Sequence, residues 1–266
     1  NSFLLYVIYF LFYLLLTLSK TLPNSKIYLI IDGKGEKMIL SESFYEYPSQ
    51  VIVNDILSKS CKKNCTMHCD LNNNVTLIFD REIISCANMF SGLKNIKEID
   101  LSNFDTSKVI DMNSMFKECT NLEKINFGNI NASSVKNMNN LFLSCENLMS
   151  INLSNFDTSS VTNMSGMFAR CYKIKIIDAS SFNTTKVEKM EDMFGYCREL
   201  ESLNVSSFNT SNVKTMKGMF IDCQKLLYID LQNSYLNILT KIRNFFTNNS
   251  INNRFIITRN DKKSLI

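Results

Sequence analysis

"FDTSKVIDMNSMFKEC" (Phe104–Cys119) is answered fifty-two residues on by "FDTSSVTNMSGMFARC" (Phe156–Cys171). A phrase that returns at a fixed distance marks a repeat, and the period has to be found before any element is assigned. Phe90, Phe116, Phe142, Phe168, Phe194 and Phe220 are each 26 residues apart. The same spacing holds for Val109, Val135, Val161, Val187 and Val213, and for Met112, Met138, Met164, Met190 and Met216. Six units align without a gap, from Met89–Ser114 to Met219–Asn244. One such unit cannot bury its apolar side alone, whereas stacked units cover one another.

Two periods alternate inside a unit. From Val109 the apolar residues Met112, Met115, Phe116 and Cys119 follow a helical stripe, and Thr106 or Ser107 stands where an N-cap belongs. In "LEKINF" (Leu122–Phe127), Ile125 and Phe127 alternate with Lys124 and Asn126, the pattern of a short strand. The expected fold is an α/β repeat solenoid, a right-handed coil of 26-residue strand–helix units with a small β-rich N-terminal cap.

The spacing Leu148-x-x-Ile151-x-Leu153-x-x-Phe156 fits the frame of leucine-rich repeats, and 26 residues lies within their range. The phrases "LSNFDTS", "NMSGMF" and "MFARC" resemble the BspA-type leucine-rich repeat, over roughly Ser85 to Leu231. That family is found in surface proteins of many bacteria and in large families of some protists. The resemblance implies a surface protein, some relatives being adhesins for host or matrix proteins. Two departures stand out. Leu93 takes the cysteine position in the first unit, and the sixth unit loses its pattern after Gln232.

Composition excludes more than it selects. Apolar residues make up 45% of 266, so the chain is long and apolar enough to fold. Net charge is only +4 with no long basic run, which argues against a nucleic-acid partner. His68 is the only histidine, which largely removes Ser-His or Cys-His catalysis. Asp32-Gly33-Lys34-Gly35 lacks the spacing of a phosphate loop and reads as a hairpin turn between "KIYLII" and "KMIL". No enzyme activity and no cofactor is expected.

Phe3–Leu18 is apolar on every face and reads as a signal peptide or uncleaved signal anchor. Nine Asn-x-Ser/Thr sequons agree with a secretory route and are candidate glycosylation sites: Asn64, Asn74, Asn131, Asn152, Asn163, Asn183, Asn204, Asn209 and Asn248. Cys119, Cys145, Cys171, Cys197 and Cys223 belong to the repeat and are expected as buried thiols. Cys61, Cys65, Cys69 and Cys86 are candidates for disulfides, with pairing open. A zinc site in "CKKNCTMHC" is disfavoured because the two-plus-two ligand spacing is absent.

One row faces outward along the strands: Asp100, Asn126, Asn152, Asp178, Asn204 and Asp230. It is a candidate binding face, or else a solvated ladder. The expected organisation is a signal peptide or anchor (1–19), a β-rich cap module (20–84), the repeat solenoid (85–244) and a C-terminal cap or tail (245–266). In the cap module "QVIVND" and "NVTLIFD" are further strands, and "RFIITR" is a capping strand at the other end. The function expected is a secreted or cell-surface repeat protein, non-catalytic, that binds an extracellular or surface protein or mediates adhesion. The alternative is a structural surface coat without a specific ligand. Membrane contact is expected only through an uncleaved N-terminal segment.

Overall fold

The amide of Phe116 does not donate back to residue 112, as it would in a helix. It donates to the carbonyl of Leu141 in the next unit, at 3.0 Å. The computed structural model describes residues 25–230, except Lys59, Ser60, Lys62, Asn64 and Leu71, together with the backbone of 256–258 and 264–265. Among these residues there is no helix. The strand–helix solenoid of the leucine-rich type is therefore corrected: each unit is a short strand or extended rung followed by consecutive turns. The expected N-terminal segment 1–19, the end of the sixth unit and the sequons at Asn64 and Asn248 lie outside the described residues.

The turns explain why the pattern imitates a helix. Met115 N–H donates to the Met112 carbonyl, and Cys119 N–H to that of Phe116. The third residue of each turn, Ser114 and Glu118, has φ of 55° and 60°. That left-handed value is what a type II turn requires, and an α-helix cannot hold it. The pair recurs as Asn140 and Ser144, Gly166 and Arg170, Asp192 and Tyr196, and Gly218 and Asp222. Consecutive turns advance three or four residues at a time, so Val109, Met112, Met115, Phe116 and Cys119 all point inward.

Backbone bonds between units take the place of helical ones. Phe90, Phe116, Phe142, Phe168 and Phe194 each donate an amide to the carbonyl 25 residues on, at 2.8–3.0 Å. Single parallel bridges run Ser85, Asp111, Asn137, Asn163, Lys189, Thr215. The phenylalanine rings stack with centroids 5.9, 5.4, 5.3, 5.8 and 5.8 Å apart from Phe90 to Phe220. Thr106, expected as a helix cap, is instead buried. Its Oγ1 donates to the Asn131 carbonyl at 2.9 Å and accepts the Asn131 amide at 3.0 Å. Thr158 and Thr184 donate to the following unit in the same way.

The strands form the other side of the stack. β1 (Ser25–Ile31), β2 (Gly35–Met38), β3 (Gln50–Val53), β4 (Ile56–Leu57), β5 (Thr66–Cys69) and β6 (Asn73–Phe79) precede the repeats. β7 (Ile96–Asn103), β8 (Lys124–Asn126), β9 (Ile176–Asp178), β10 (Ser202–Asn204) and β11 (Tyr228–Asp230) come from the repeats, and β12 (Ile256–Thr258) and β13 (Ser264–Leu265) follow. One sheet has the order β4-β3-β6-β1-β7-β8, a second β13-β12-β11-β10-β9, and a third pairs β2 with β5.

Both ends of the stack are closed by pairing. β1 lies antiparallel to β7, with Leu29 opposite Ile99, and Phe79 meets Phe104 edge-on at 5.5 Å. The cap strands read in "QVIVND" and "NVTLIFD" are β3 and β6. β12, within "RFIITR", pairs parallel with β11, and β13 folds back antiparallel on it. The expected hairpin at Asp32–Gly35 is corrected. The turn is present, with Gly33 and Gly35 both at φ 87°, but β1 and β2 do not pair with each other. β2 leaves the first sheet for β5, where Glu36 faces His68.

Candidate binding face

The outward row of Asp and Asn is turned onto its own backbone. Oδ1 of Asp100, Asn126, Asn152, Asp178 and Asn204 accepts the amide two residues on, at 2.8–3.1 Å. These are Asx-turns that end each strand. Only an oxygen acceptor is needed, which is why Asn and Asp alternate freely in the row. Asp230 occupies the same position and is half-buried. Burial pushes the Asp100 carboxyl up, but hydrogen bonds from Ser102 and Asn126 outweigh it and hold the group below its ordinary range.

The sequons share this geometry. Asn131, Asn163, Asn183 and Asn209 also accept the amide of the residue two places on. Asn131, Asn152 and Asn183 accept the hydroxyl of that Ser or Thr as well, at 2.7–2.8 Å. A turn built from Asx and Ser/Thr writes Asn-x-Ser/Thr for structural reasons alone. Asn74, Asn131, Asn152 and Asn183 are exposed, whereas Asn163, Asn204 and Asn209 are half-buried.

The cysteines divide into two kinds. Cys61 and Cys65 form a disulfide with Cα atoms 5.3 Å apart, while Cys69 and Cys86 are free and buried. The four-cysteine candidate set therefore supplies one bridge. Cys69 lies on β5 opposite Gly35, and Cys86 lies three residues before the first unit, 26 residues ahead of Met112. Along the ladder, each thiol donates to the phenylalanine carbonyl 29 residues earlier: Cys119 to Phe90, Cys145 to Phe116, Cys171 to Phe142, Cys197 to Phe168 and Cys223 to Phe194, at 3.1–3.2 Å. Leu93 stands in this column in the first unit, which no repeat unit precedes.

Burial pushes the Cys119, Cys171 and Cys223 thiols up to about 12, and raises those of Cys145 and Cys197 as well. Since the thiolate is the reactive form, the ladder should not react with a thiol reagent in the native protein at neutral pH. Thiol titration under non-reducing conditions should show seven thiols after unfolding, the number free in the structure. Nine would remove the Cys61–Cys65 bridge.

His68 is exposed and 3.6 Å from Glu36. Among the described residues no group of three His, Cys, Asp or Glu side chains is placed to hold a metal ion. No helix among them is long and apolar enough to cross a membrane.

Residues that depart from their repeat columns gather on one face. Arg170 lies over the Tyr196 ring at 5.3 Å, and Arg198 over the Tyr172 ring at 5.1 Å, a reciprocal pairing across adjacent units. Arg198 Nε also donates to Asp222 at 2.9 Å. Beside them a groove of about 580 Å³ is lined by Met149, Tyr172, Lys173, Lys175, Arg198 and Glu199. Met149 is 56% exposed and Ile176 62%. The sequence reading missed this cluster. Its signal was there, because Tyr172 and Arg198 share a column that holds Lys94, Thr120, Glu146 and Gln224 in the other units.

The same face carries a break in the sheet. The third unit lacks the strand expected of every unit, and the two large sheets end at β8 and β9 on either side of it. Among the described residues, no backbone hydrogen bond is made by Met149, Ser150, Ile151 or Asn152. Ile125 and Ile151 are only partly buried, whereas Ile99, Ile177, Leu203 and Ile229 in the same column are buried. A second groove, of about 710 Å³, runs along the outer sheet face from β6 to this segment and includes Asp100, Asn126 and Asn152.

Stacked 26-residue rungs, capped at each end and bearing one irregular face, define a repeat protein whose surface is its accessible chemistry. Residues 84–176, and again 145–258, match the model of the family described as "Mycoplasma protein of unknown function, DUF285". Together the matches run from 84 to 258, 175 of the 266 residues, and the chain belongs to that family. No curated protein and no solved structure matches it.

Proposed function

We propose that this protein is a non-catalytic repeat protein of the cell surface or secreted space that binds another protein. The observation that carries the reading is the cluster of Arg170, Tyr172, Tyr196 and Arg198 beside exposed Met149. Arg, Tyr and Met are the residue types enriched where proteins meet, and no other unit carries Arg or Tyr in the column of Tyr172 and Arg198 or in that of Arg170 and Tyr196. The reciprocal stacking fixes four long side chains before any partner arrives, which lowers the entropy lost on binding.

Two features support the compartment. The Phe3–Leu18 run and the Cys61–Cys65 bridge each suit an oxidising, secretory route. The BspA-type character of "LSNFDTS" and "NMSGMF" supports a surface role.

The test is capture from solubilised extracellular-matrix and cell-surface proteins by the immobilised protein, with an Arg170→Ala/Arg198→Ala variant in parallel. The expected result is a defined protein retained by the parent and lost from the variant. Equal retention by both, or self-association with no other protein retained, overturns the reading; the second outcome is what a structural coat would give.

A further inference from the structure

We infer that the outer face of the six-stranded sheet, where β6 and β1 adjoin β7, is a docking surface for a basic segment of a protein partner. The inference rests on the protein-binding reading and extends it to a second groove by naming the partner's chemistry there.

The face is apolar where a sheet with one side in the core turns polar residues outward. Ile27, Leu29, Val75 and Leu77 are buried on the inner side. On the outer side β7 and β8 follow the rule, with Glu98, Asp100, Lys124 and Asn126. The strands before them depart from it: Tyr28 is exposed, and Ile30, Ile52 and Ile78 are only half-buried. The groove of about 710 Å³ opens over Tyr28 and Ile30.

Charge names the occupant. Asp55, Glu98 and Asp100 line this groove against one cation, Lys124. Lys124 is itself held by Glu98 at 3.0 Å. Asp55 and Asp100 make no ion pair among the described residues. Lys26, two residues before Tyr28 on the same side of β1, is not part of the lining. The groove is therefore net negative on a chain whose net charge is +4. Cationic side chains on an incoming segment complement it. The carboxylates are spread across strands, and among the described residues no three are placed to hold a metal ion.

The sheet register spaces these groups for side chains. Tyr28 stands opposite Asp100, one strand spacing of about 4.8 Å away. One Lys or Arg can satisfy both, the carboxylate by an ion pair and the ring by cation–π attraction. Asp55 sits at the tip of the β3–β4 hairpin, where its neighbour Asn54 accepts the Asn74 amide of β6 at 3.0 Å. β6, β1 and β7 are consecutive, so Asp55 and Asp100 are about three strand spacings apart, about 14 Å. An extended segment laid across the strands covers that in about four residues and brings every second side chain to the same side. Two cations at that interval reach both carboxylates, and the residue between them lies over Ile30 and Tyr28.

The charges can be removed without disturbing the turns. Asn already occupies the Asp100 column at Asn126, Asn152 and Asn204, where it accepts the same backbone amide. Asn also suits the left-handed φ of 65° at Asp55. D55N/D100N therefore keeps both turns.

The probe is a fluorescently labelled decapeptide of alternating Lys and Val, with a Glu–Val decapeptide and spermine as comparisons. It is added to the full chain made without N-linked glycan, since Asn74 and Asn152 line the groove. Anisotropy reads affinity. Carbodiimide coupling, which joins a lysine amine to the carboxylate it touches, reads position by mass spectrometry. The Lys–Val peptide should bind and couple to Asp55, Glu98 or Asp100. It should bind about tenfold more weakly to D55N/D100N and about threefold more weakly to Tyr28→Thr. The Glu–Val peptide should not bind.

Four results overturn the site: unchanged affinity in D55N/D100N, coupling confined to other carboxylates, binding of the Glu–Val peptide, or displacement by spermine as effective as by unlabelled peptide, which would make it a general polycation surface. A dimer in sedimentation that D55N/D100N abolishes would make a second copy the occupant and remove the separate partner. If D55N/D100N captures as much protein as the parent in the assay above, this site falls and the protein-binding reading stands.

Discussion

Phe168→Ala is expected to cost about 3–5 kcal/mol, the range for truncating a buried aromatic. The ring is fully buried and stacked between Phe142 at 5.3 Å and Phe194 at 5.8 Å. Its loss removes two aromatic contacts, each worth about 0.5–1.5 kcal/mol beyond area, and leaves a cavity in the middle of a one-dimensional stack. Each unit is stabilised by its two neighbours, so a gap there weakens the coupling on both sides. Phe90 has one stacked neighbour, Phe116 at 5.9 Å, and Phe90→Ala should cost less. Lys186→Ala, on an exposed position, should stay within about 0.5 kcal/mol. Denaturant midpoints at constant slope measure all three. If Phe168→Ala matched Lys186→Ala, the stacked ladder would not be the core.

The ladder was readable in advance because stacking requires the same side chain at the same height in every unit. The period therefore predicts which residues align, whatever the backbone does between them. The cap strands were readable as strands from the alternation in "QVIVND" and "NVTLIFD", but not their place: β1 covers the first rung, and β6 and β3 lie outside it. The backbone of the turns was not readable from apolar spacing, since consecutive turns and a helix both return a residue to one face every three or four positions. The distinguishing column was Asn88, Ser114, Asn140, Gly166, Asp192 and Gly218. These are poor helix formers, and all have positive φ. A single Gly there would be noise; a whole column of Gly, Asn, Asp and Ser indicates a left-handed position.

The candidate site was harder for a different reason. The Asx row repeats, so it drew attention, yet repetition there serves the turn. The irregular face arises from departures: Tyr172 and Arg198 in a column that is otherwise Lys, Thr, Glu or Gln, and Arg170 and Tyr196 in one that is otherwise Gly, Glu, Ser or Asp. Phe127 and Ile130 stand where the first, third, fourth and fifth units carry Leu, Ala or Val and then Phe. A departure is visible in sequence, but its consequence depends on which units touch. Arg198 meets Tyr172 because the two occupy one column in adjacent units, a contact that only the stacked register shows.

Gly128→Ala is the second substitution expected to have a large effect, about 3 kcal/mol, and it isolates close approach between units from backbone strain. Gly128 has φ 53°, and a Cβ there would lie 2.6 Å from Ser102 Cα and 2.7 Å from Ser102 Cβ. Ser102 belongs to the strand of the preceding unit, so relief needs a backbone shift. Gly92 has φ 78° and open space around it. Gly92→Ala should therefore carry only the left-handed cost, about 1–2 kcal/mol. Gly128→Ala adds overpacking of about 1–3 kcal/mol. The other units tolerate Ser102, Ser154, Ser180 and Ser206 in this column, none of which has positive φ. Gly128 follows Phe127, and the chain there turns left-handed directly after the oversized ring. The glycine and the phenylalanine form one local solution, and the Ser102 contact fixes it against the first unit. The measurement is the difference in denaturant midpoint between the two alanine variants. Equal destabilisation would show that the units are further apart at this turn than the structure places them.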